Sequence, residues 1–408
     1  MPEQHVKLEG HFIDRPVLSQ VLDTVERFGG TYEIVELQIG RTRKDESCAV
    51  LCINAPDEAV LQSVLQNLAM LGVEPVMPKP ARWEPAPADG VLPDRFYATT
   101  NLPTEVFVKD RWLSVAGEEM DLAIVLDQAM QNAWTVPMAD VEAGQRVVIE
   151  TAGVRVCYPP QKNNRGHFRF MESAVSAEKP KRPLLQHIVH AARRIKDAGG
   201  KILLVGGPAI IHTGAGPILE KLLRDGWIDV LFAGNALAAH DIEAALYGTS
   251  LGVPVGGDPP EREGHAHHLW AINRIRRAGS IAKAVEHGVL TKGVMHACIS
   301  RAIPFVLAGS IRDDGPLPDV VTDVLEAQRI MRRHVEDVGM AIMIGTTLHA
   351  VATGNLLPAS VVTICVDVNP AVVTKLRDRG SRQSLGIVMD AASFLEHLVG
   401  GLGEGRIS

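Results

Sequence analysis

The sequence predicts an α/β protein built from successive parts, and three observations lead to that prediction. Strand-like and helix-like segments follow one another in the order β-α-β-β-α-β over residues 1–80. Short strand-like segments dominate residues 90–165. Apolar strands then alternate with helices over residues 183–408, which is the pattern of a parallel sheet covered on both faces.

The composition is that of a globular protein of more than one domain. A chain of 408 residues is too long for one ordinary hydrophobic core, so roughly two or three domains are expected. The formal net charge is −7 and no basic block occurs. Nucleic acid and anionic membranes are therefore not expected as main partners.

The termini and cysteines predict a cytoplasmic protein. The first residues, MPEQHVKLEG, lack the basic and apolar regions of a signal peptide. No apolar run approaches the roughly 20 residues that a membrane span needs. The 5 cysteines include no C-x-x-C pair, and their odd number fits buried thiols in a reducing compartment rather than a disulfide framework.

The first part has the element order of a ferredoxin-like domain. Apolar residues at helical spacing run from Val17 to Phe28, and strand-like segments follow over residues 33–40 and 48–55. Asp57 is a suitable cap for a second helix. The domain is expected to end near residue 78, and the Pro- and Ala-rich PKPARWEPAPADGVLP is expected to be a linker.

The second and third parts differ in their periodicity. The β-rich region contains FYATTN, TEVFVK, RWLSVA, DLAIVLD and QRVVIETAGVRVCYP as strand-like segments. The third part has buried strands at KILLVGG, IDVLFAG, IPFVLAGS, AIMIGT, SVVTICVDV and SLGIVM, separated by amphipathic helices. This alternation predicts a Rossmann-like sheet, and ligands of such sheets sit beyond the carboxyl ends of the strands.

Polar residues follow several of these strands and are candidate ligand contacts. A strand-end carboxylate such as Asp367 can accept both ribose hydroxyls of a nucleotide and repel a 2′-phosphate, which favours NAD over NADP. Ordinary turns and helix caps are the alternative interpretation of any one position. The candidates are Asn235, Ala236, Arg312, Asp313, Asp314, Thr346, Thr347, Leu348, His349, Asp367 and Asp390.

Two further motifs leave alternatives open. GGPAIIHTGAG begins with Gly206 and Gly207 but lacks the G-x-G-x-x-G spacing, so it fits either a phosphate contact or a tight turn. GHAHHLW contains His265, His267 and His268. No set of metal ligands at defined spacing is evident, so proton transfer with an amine substrate or helix capping is expected rather than metal binding.

The motifs of the whole chain resemble two known families. GHFIDRPVLSQVLDTVERFGGTYEIVELQIG resembles the N-terminal conserved domain of lysine-ketoglutarate reductase/saccharopine dehydrogenase. AGNALAAHDIEAALYGTSLG, GHAHHLWAINRIRRAGSI, PFVLAGSIRDDGPLPD and TTLHAVATGNLLP are similar to segments of the archaeal-type ornithine cyclodeaminases. That family also forms the C-terminal part of cyanobacterial arginine dihydrolase/ornithine cyclodeaminase enzymes. The third part is also similar, at fold level, to deoxyhypusine synthase.

The resemblance implies a redox-neutral enzyme that converts L-ornithine to L-proline and ammonia with bound NAD. The implied partners are this substrate and further copies of the chain. The NAD contacts that it implies match Asn235, Ala236, Asp314, Thr346, Thr347, Leu348, His349, Asp367, Asp390 and Ala391.

Chemistry rather than resemblance suggests the catalytic residues. Arg312 would hold the substrate carboxylate, Asp313 or Asp314 would handle an ammonium proton, and His268 would be a second proton carrier. The alternatives are an NAD-dependent amino-acid or opine-type (saccharopine-like) dehydrogenase and a non-catalytic amino-acid sensor.

Overall fold

The chain forms two compact units in a computed structural model. The structure describes residues 2–10, 17–40, 45, 47–69, 71–76, 79–157, 182–251, 253–254, 266–313, 315–379 and 384–403. The units are Met1–Lys162 and Asn163–Ser408. The finer division into 1–80, 90–165 and 183–408 stays a prediction. Among the described helices, none is long and apolar enough to cross a membrane.

The first sheet has the predicted ferredoxin-like arrangement. Its strands are antiparallel in the order β2-β3-β1-β4. The Asp57 carboxylate accepts a hydrogen bond from the Val60 amide at 2.8 Å, so the predicted helix cap is present. Apolar residues of both helices are buried against the sheet. The elements are β1 (Glu3–Gly10), α1 (Val17–Arg27), β2 (Thr31–Gln38), β3 (Ser47–Asn54), α2 (Glu58–Ala69) and β4 (Val73–Pro75).

A second sheet of the same unit has the strand order β11-β6-β7-β9-β8-β10-β5. The predicted β-rich character of this region is confirmed, with one strand, β9, that the sequence did not reveal. FYATTN forms isolated bridges instead of a strand, through Phe96 and Ala98. The elements are β5 (Arg82–Pro85), β6 (Thr104–Val108), β7 (Arg111–Ala116), β8 (Ala123–Leu126), β9 (Ala133–Val136), β10 (Arg146–Ile149) and β11 (Val154–Val156).

The predicted linker after residue 78 is wrong, because β5 lies inside it. β5 is an antiparallel edge strand that pairs with β10. The Arg146 guanidinium lies 4.9 Å from the centre of the Trp83 ring, a cation–π contact that helps to hold the strand. Pro85 is tolerated because an edge strand leaves one row of backbone groups unpaired.

The second unit is a parallel sheet between helices. Its first strand sends Ile202 and Leu204 into one apolar cluster and Leu203 and Val205 into the other, so both faces are covered. The described elements are α3 (Arg182–Asp197), β12 (Lys201–Gly206), α4 (Ala209–His212), α5 (Gly216–Arg224), β13 (Val230–Gly234), α6 (Asn235–Tyr247), β14 (Thr249–Ser250), β15 (Val253–Pro254), α7 (His267–Ala278), α8 (Ile281–Glu286), α9 (Val294–Ser300), β16 (Phe305–Ala308), β17 (Val320–Val321), α10 (Val324–Val335), β18 (Val338–Ile344), α11 (Leu348–Leu356), β19 (Val362–Asp367), α12 (Pro370–Arg379), β20 (Ser384–Val388) and α13 (Ala391–Gly403).

The strand order of this sheet places the candidate site. The order is β17-β16-β13-β12-β18-β19-β20, with all neighbours parallel. From β12 the chain adds β13, β16 and β17 on one side of the sheet. It then returns to β18, on the other side of β12, and adds β19 and β20. The topological switch point therefore lies between β12 and β18, where open α/β sheets leave a crevice for ligands.

Asp241 gives this unit a specific pH dependence of stability. Its carboxylate, buried in α6, accepts hydrogen bonds from the amides of Val294 and Met295 at 2.8 Å each. Burial raises its pKa from 3.8 to about 7. The folded state therefore holds a proton that the unfolded state releases, so this contribution to stability is lost as the pH rises toward 7.

Between pH 4 and 7, Asp241 should make the free energy of unfolding fall by up to about 1.4 kcal/mol per pH unit. We expect Asp241→Asn to remove this contribution to the slope. Urea unfolding of both proteins across this range measures the two slopes. The absolute stability of the variant is expected to be lower, because one of the two amide donors loses its acceptor. Parallel pH dependences of wild type and variant would contradict the assignment.

Candidate functional site

The carboxyl ends of β12 and β18 approach each other at a glycine contact. The Gly207 amide donates a hydrogen bond to the Ile344 carbonyl at 2.9 Å. A Cβ atom on Gly207 would stand 1.9 Å from the Gly345 carbonyl oxygen and 3.1 Å from the Thr346 Cβ. The requirement for glycine at 207 therefore comes from close packing of two chain segments at the switch point.

A hydrogen-bonded pair, Asn235 and Asp313, joins the ends of β13 and β16. The Asn235 carboxamide donates to Asp313 Oδ1 at 3.3 Å and accepts from the Leu317 amide at 3.1 Å. The Ser310 amide donates to Asp313 Oδ2 at 2.8 Å. This pair fixes the loop after β16 against the beginning of α6, at the edge where a ligand would bind.

His349 adds a neutral imidazole to this pair from the first turn of α11. A Cβ atom on Gly234 would stand 2.6 Å from its Cε1, so the glycine makes room for the ring. Burial lowers the pKa of His349, although nearby Asp313 and a hydrogen bond to the Ala308 carbonyl act in the opposite direction. Residues after β13, β16 and β18 thus meet in one cluster, as the positions of the strand ends predicted.

Two helices begin at this edge after N-cap residues that make no side-chain capping bond. α6 starts at Asn235 after Gly234, which has no side chain to cap the helix. α11 starts at Leu348 after Thr347, whose hydroxyl makes no capping bond. Unsatisfied amide groups at a helix N-terminus attract anionic oxygens. Asn235, Ala236, Thr346, Thr347 and Leu348 therefore surround amide groups that suit a pyrophosphate.

The predicted carboxylates at the ends of β19 and β20 also have local roles. Asp367 accepts a hydrogen bond from the Asn369 amide at 2.8 Å. Asp390 accepts one from the Ser393 amide at 2.8 Å, and this bond lowers its pKa. Asp390 therefore caps α13, which begins at buried Ala391. Ordinary turns and caps were the alternative interpretation of such residues, and a turn at Asp367 and a cap at Asp390 are both present.

Exposed apolar side chains accompany the polar groups at this edge. Ile311, Leu348 and Val368 are exposed by 106%, 72% and 67%. They follow β16, β18 and β19, and they suit contact with the flat faces of aromatic rings. A ligand reaching from β13 to β20 crosses four strand spacings, about 19 Å. That span suits a dinucleotide and exceeds the length of a free amino acid.

The predicted substrate residues are described only in part. Arg312 is exposed on the loop after β16, and its amide donates to the Ser310 hydroxyl at 3.3 Å. Asp314 and His265 lie outside the described residues. Within the part of the chain that the structure describes, no cluster of His, Cys, Asp and Glu has the arrangement of a metal site.

His267 and His268 belong to a second polar cluster, formed by α4, α6 and α7. The Thr249 hydroxyl lies 2.8 Å from His267 Nδ1, and the ring centres of His268 and His240 are 6.1 Å apart. Sequence reasoning did not single out His212, His240 or Glu243. The spacing of His240 and Glu243, three residues apart on one helix face, was the available indication.

The parallel sheet and its helices define a Rossmann-type domain, and a ferredoxin-like sheet precedes it in the chain. A family profile described as arginine dihydrolase ArgZ-like, C-terminal, Rossmann fold, matches residues 186–398. A profile described as arginine dihydrolase ArgZ-like, C-terminal, first region, matches residues 103–185. The conserved region of LOR/SDH bifunctional enzymes matches residues 3–102.

Full-length relatives carry the same arrangement. The chain is 48% identical over 400 residues to the ornithine cyclodeaminase of Methanothermobacter thermautotrophicus, covering 98% of this chain and 97% of that protein. It is 49% identical over 398 residues to that of Methanopyrus kandleri, covering 97% and 96%. The chain belongs to the ornithine cyclodeaminase family, as its motifs predicted.

Solved structures extend the similarity to larger enzymes. Apo ArgZ, an arginine dihydrolase of cyanobacteria, has a TM-score of 0.84 at 37% identity, over 99% of this chain and 58% of that one. The ternary complex of AgrE with ornithine and NAD⁺ has a TM-score of 0.54 at 39% identity, over 99% and 58%. The chain thus spans little more than half of these enzymes.

Proposed function

We propose that this protein is an NAD-dependent ornithine cyclodeaminase that converts L-ornithine to L-proline and ammonia. The observation that carries the proposal is full-length identity of 48–49% to proteins of that name. The carboxyl edge of the parallel sheet supports it, because the two helices that begin there and its exposed apolar side chains suit a dinucleotide. AgrE, a structural relative, is known in complex with both ornithine and NAD⁺.

Residues at the ends of five strands would hold the cofactor. The amides at the beginnings of α6 and α11 would bind the pyrophosphate, and Asp367 would accept hydrogen bonds from ribose hydroxyls. Bound NAD supplies a two-electron acceptor that is restored within the same turnover. The proposed contacts are Asn235, Ala236, Asp314, Thr346, Thr347, Leu348, His349, Asp367, Asp390 and Ala391.

The chain's own side chains would hold the substrate and manage its protons. Arg312 would bind the carboxylate, Asp313 or Asp314 would hold or deprotonate an ammonium group, and His268 would carry a second proton. The δ-amino group of ornithine replaces the α-amino group, which leaves as ammonia while a five-membered ring closes. Both reacting groups belong to one molecule, so correct orientation favours closure.

The central experiment adds L-ornithine, but no cofactor, to the purified protein and measures proline and ammonia. Equal amounts of both products are expected, with NAD released only when a parallel sample is denatured. If no proline forms even after NAD is added, the assignment fails.

An amino-acid or opine-type dehydrogenase is the second candidate. The match of residues 3–102 to the LOR/SDH conserved region favours it. Such an enzyme would release reduced cofactor in each turnover. Absorbance at about 340 nm that grows in proportion to ornithine consumed would support the dehydrogenase, whereas proline formation without such growth supports the cyclodeaminase.

We also propose that the protein works in the cytoplasm as a homo-oligomer. The edge strand β2 supports an assembly, because Ile34, Val35 and Leu37 are exposed by 42%, 55% and 43%. One backbone edge of β2 pairs with no other described strand, and this edge and its apolar side chains suit pairing with a second copy. Light scattering after size exclusion measures the mass, and a monomer at working concentrations would contradict the assembly.

Replacing Asp367 should reduce the preference for NAD over NADP. Asp367→Asn keeps the size of the side chain but removes the charge that repels a 2′-phosphate and strengthens the ribose hydrogen bonds. We expect NAD affinity to fall about 10-fold to 100-fold and relative NADP affinity to rise. Titration of cofactor-stripped protein with both nucleotides measures the ratio; an unchanged ratio would exclude Asp367 from the ribose contact.

A further inference from the structure

Glu243, in α6, is a buried carboxylate that the proposed mechanism does not yet use. Its side chain is 0% exposed. His240 Nδ1 lies 2.9 Å from Oε2, the Thr249 hydroxyl donates to Oε1 at 2.9 Å, and the Leu251 amide donates to Oε2 at 3.2 Å. A buried carboxylate is costly unless donors of this kind surround it.

These contacts fix the direction of the hydrogen bonds. An ionised carboxylate only accepts, so His240 donates its Nδ1–H to Glu243. The Thr249 hydroxyl gives its single hydrogen to Glu243, and its oxygen therefore accepts from His267 Nδ1 at 2.8 Å. When His240 is neutral, its Nε2 lone pair can act as a base.

His240 lies between two other imidazoles, His212 of α4 and His268 of α7. The ring centres of His212 and His240 are 4.7 Å apart in an edge-on arrangement, and those of His240 and His268 are 6.1 Å apart. His268 Nδ1 is buried without a hydrogen-bond partner among the described residues. His212 Nδ1 contacts the Ser250 hydroxyl at 2.7 Å, and burial lowers the pKa of His212.

Two elements connect this imidazole row to the cofactor edge. α4 begins at Ala209, whose Cβ would lie 2.9 Å from a Cβ on Gly345, and His212 is one helical turn further on. His240 follows Asn235 by five residues of α6, a rise of about 7.5 Å. The row therefore lies one to two helical turns from residues proposed to bind NAD.

We propose that His240 is a further catalytic residue of the proposed reaction and that Glu243 is its positioning residue. A proton leaves the substrate ammonium nitrogen for His240 Nε2, while the Nδ1–H bond to Glu243 stays in place. The same proton later passes to the nitrogen that departs as ammonia, so no net proton remains on the enzyme. His212 and His268 flank the acceptor, and the Glu243 carboxylate stabilises the imidazolium.

The test compares Glu243→Gln and His240→Asn with the wild-type holoenzyme. We expect His240→Asn to lower kcat about 100-fold and to remove the acidic limb of the pH–rate profile. Glu243→Gln should lower kcat about 10-fold and move that limb to lower pH, because the anion that favours imidazolium is gone. Among the described residues, the titratable groups facing His240 are Glu243, His212 and His268, and His267 acts through Thr249.

Bound NAD per protomer and the melting temperature serve as structural readouts, and His296→Asn is the matched control. His296 lies on α9, where it contacts Arg224 and Ser300, so its replacement should leave kcat and the profile unchanged. If kcat falls in both test variants but the acidic limb of the pH–rate profile does not move, His240 and Glu243 have only a structural role and the inference is overturned.

The inference rests on the proposed function, and the two can fail separately. A wild-type protein that forms no proline from ornithine overturns both. A wild-type protein that forms proline and ammonia, together with test variants that keep its kcat and pH profile, overturns the role of His240 and leaves the cyclodeaminase assignment intact.

Discussion

Asn235→Asp should abolish NAD retention at neutral pH. The new carboxylate would face Asp313 Oδ1 across the 3.3 Å now spanned by a hydrogen bond. Two unit charges at about 4 Å repel by about 4 kcal/mol near a protein surface. The new carboxylate would also place negative charge at the beginning of α6, where the pyrophosphate is proposed to bind. NAD released per protomer after denaturation measures the loss.

The exchange variant Asn235→Asp/Asp313→Asn is the matched control. It restores a pair of one carboxylate and one carboxamide, in which residue 313 now donates the hydrogen bond and residue 235 accepts it. Asp at 235 can still accept from the Leu317 amide, and Asn at 313 can still accept from the Ser310 amide. We expect the double variant to retain more NAD than the Asn235→Asp single variant, which a double-mutant cycle quantifies. Full NAD retention by that single variant would exclude this pair as part of the cofactor site.

Gly207→Ala should destabilise the second unit by about 3 kcal/mol and release the cofactor. Its methyl group would stand 1.9 Å from the Gly345 carbonyl oxygen, a backbone atom that a side-chain rotation cannot move away. The ends of β12 and β18 must then separate, which displaces the Thr346 segment. Urea unfolding and NAD content measure the two effects.

Gly400→Ala is the control for this prediction. Gly400 lies in α13, and a Cβ there would meet no atom within 4 Å. We expect it to stabilise the protein by up to about 1 kcal/mol, because alanine is the better helix former. Equal stabilities of the Gly207→Ala variant and the wild type would show that the strand ends can rearrange without cost.

Periodicity predicted the features that depend on local sequence. The spacing of Val21 and Val25 indicated α1, and the apolar runs before Asn235, Thr346 and Asp367 indicated buried strands. The approach of Asn235, Asp313 and His349 also followed from sequence, because parallel strands gather their carboxyl ends at one edge. The approach of these side chains was therefore predictable from polar residues in the segments that follow such strands.

Strands and side-chain clusters that depend on residues far away in the sequence were not predictable from periodicity. β5 consists of RWEP, which ends in Pro85 and lies two residues after Pro80. It becomes a strand through pairing with β10 and the contact of Trp83 with Arg146. The spacing of His240 and Glu243 on one helix face was a local indication, but His212 is unremarkable within its own segment. The cluster forms only when α4, α6 and the segment after α6 lie side by side.

The redox-neutral reaction is tested most directly with L-ornithine deuterated at Cα, by measuring the deuterium at C2 of the proline formed in ordinary water. A redox-neutral reaction within a closed site should return the same hydrogen to the ring carbon. We predict that nearly every proline molecule retains one deuterium at C2. Proline with hydrogen from solvent at that carbon would contradict the account, because the Cα hydrogen would then have left as a proton or with a released cofactor.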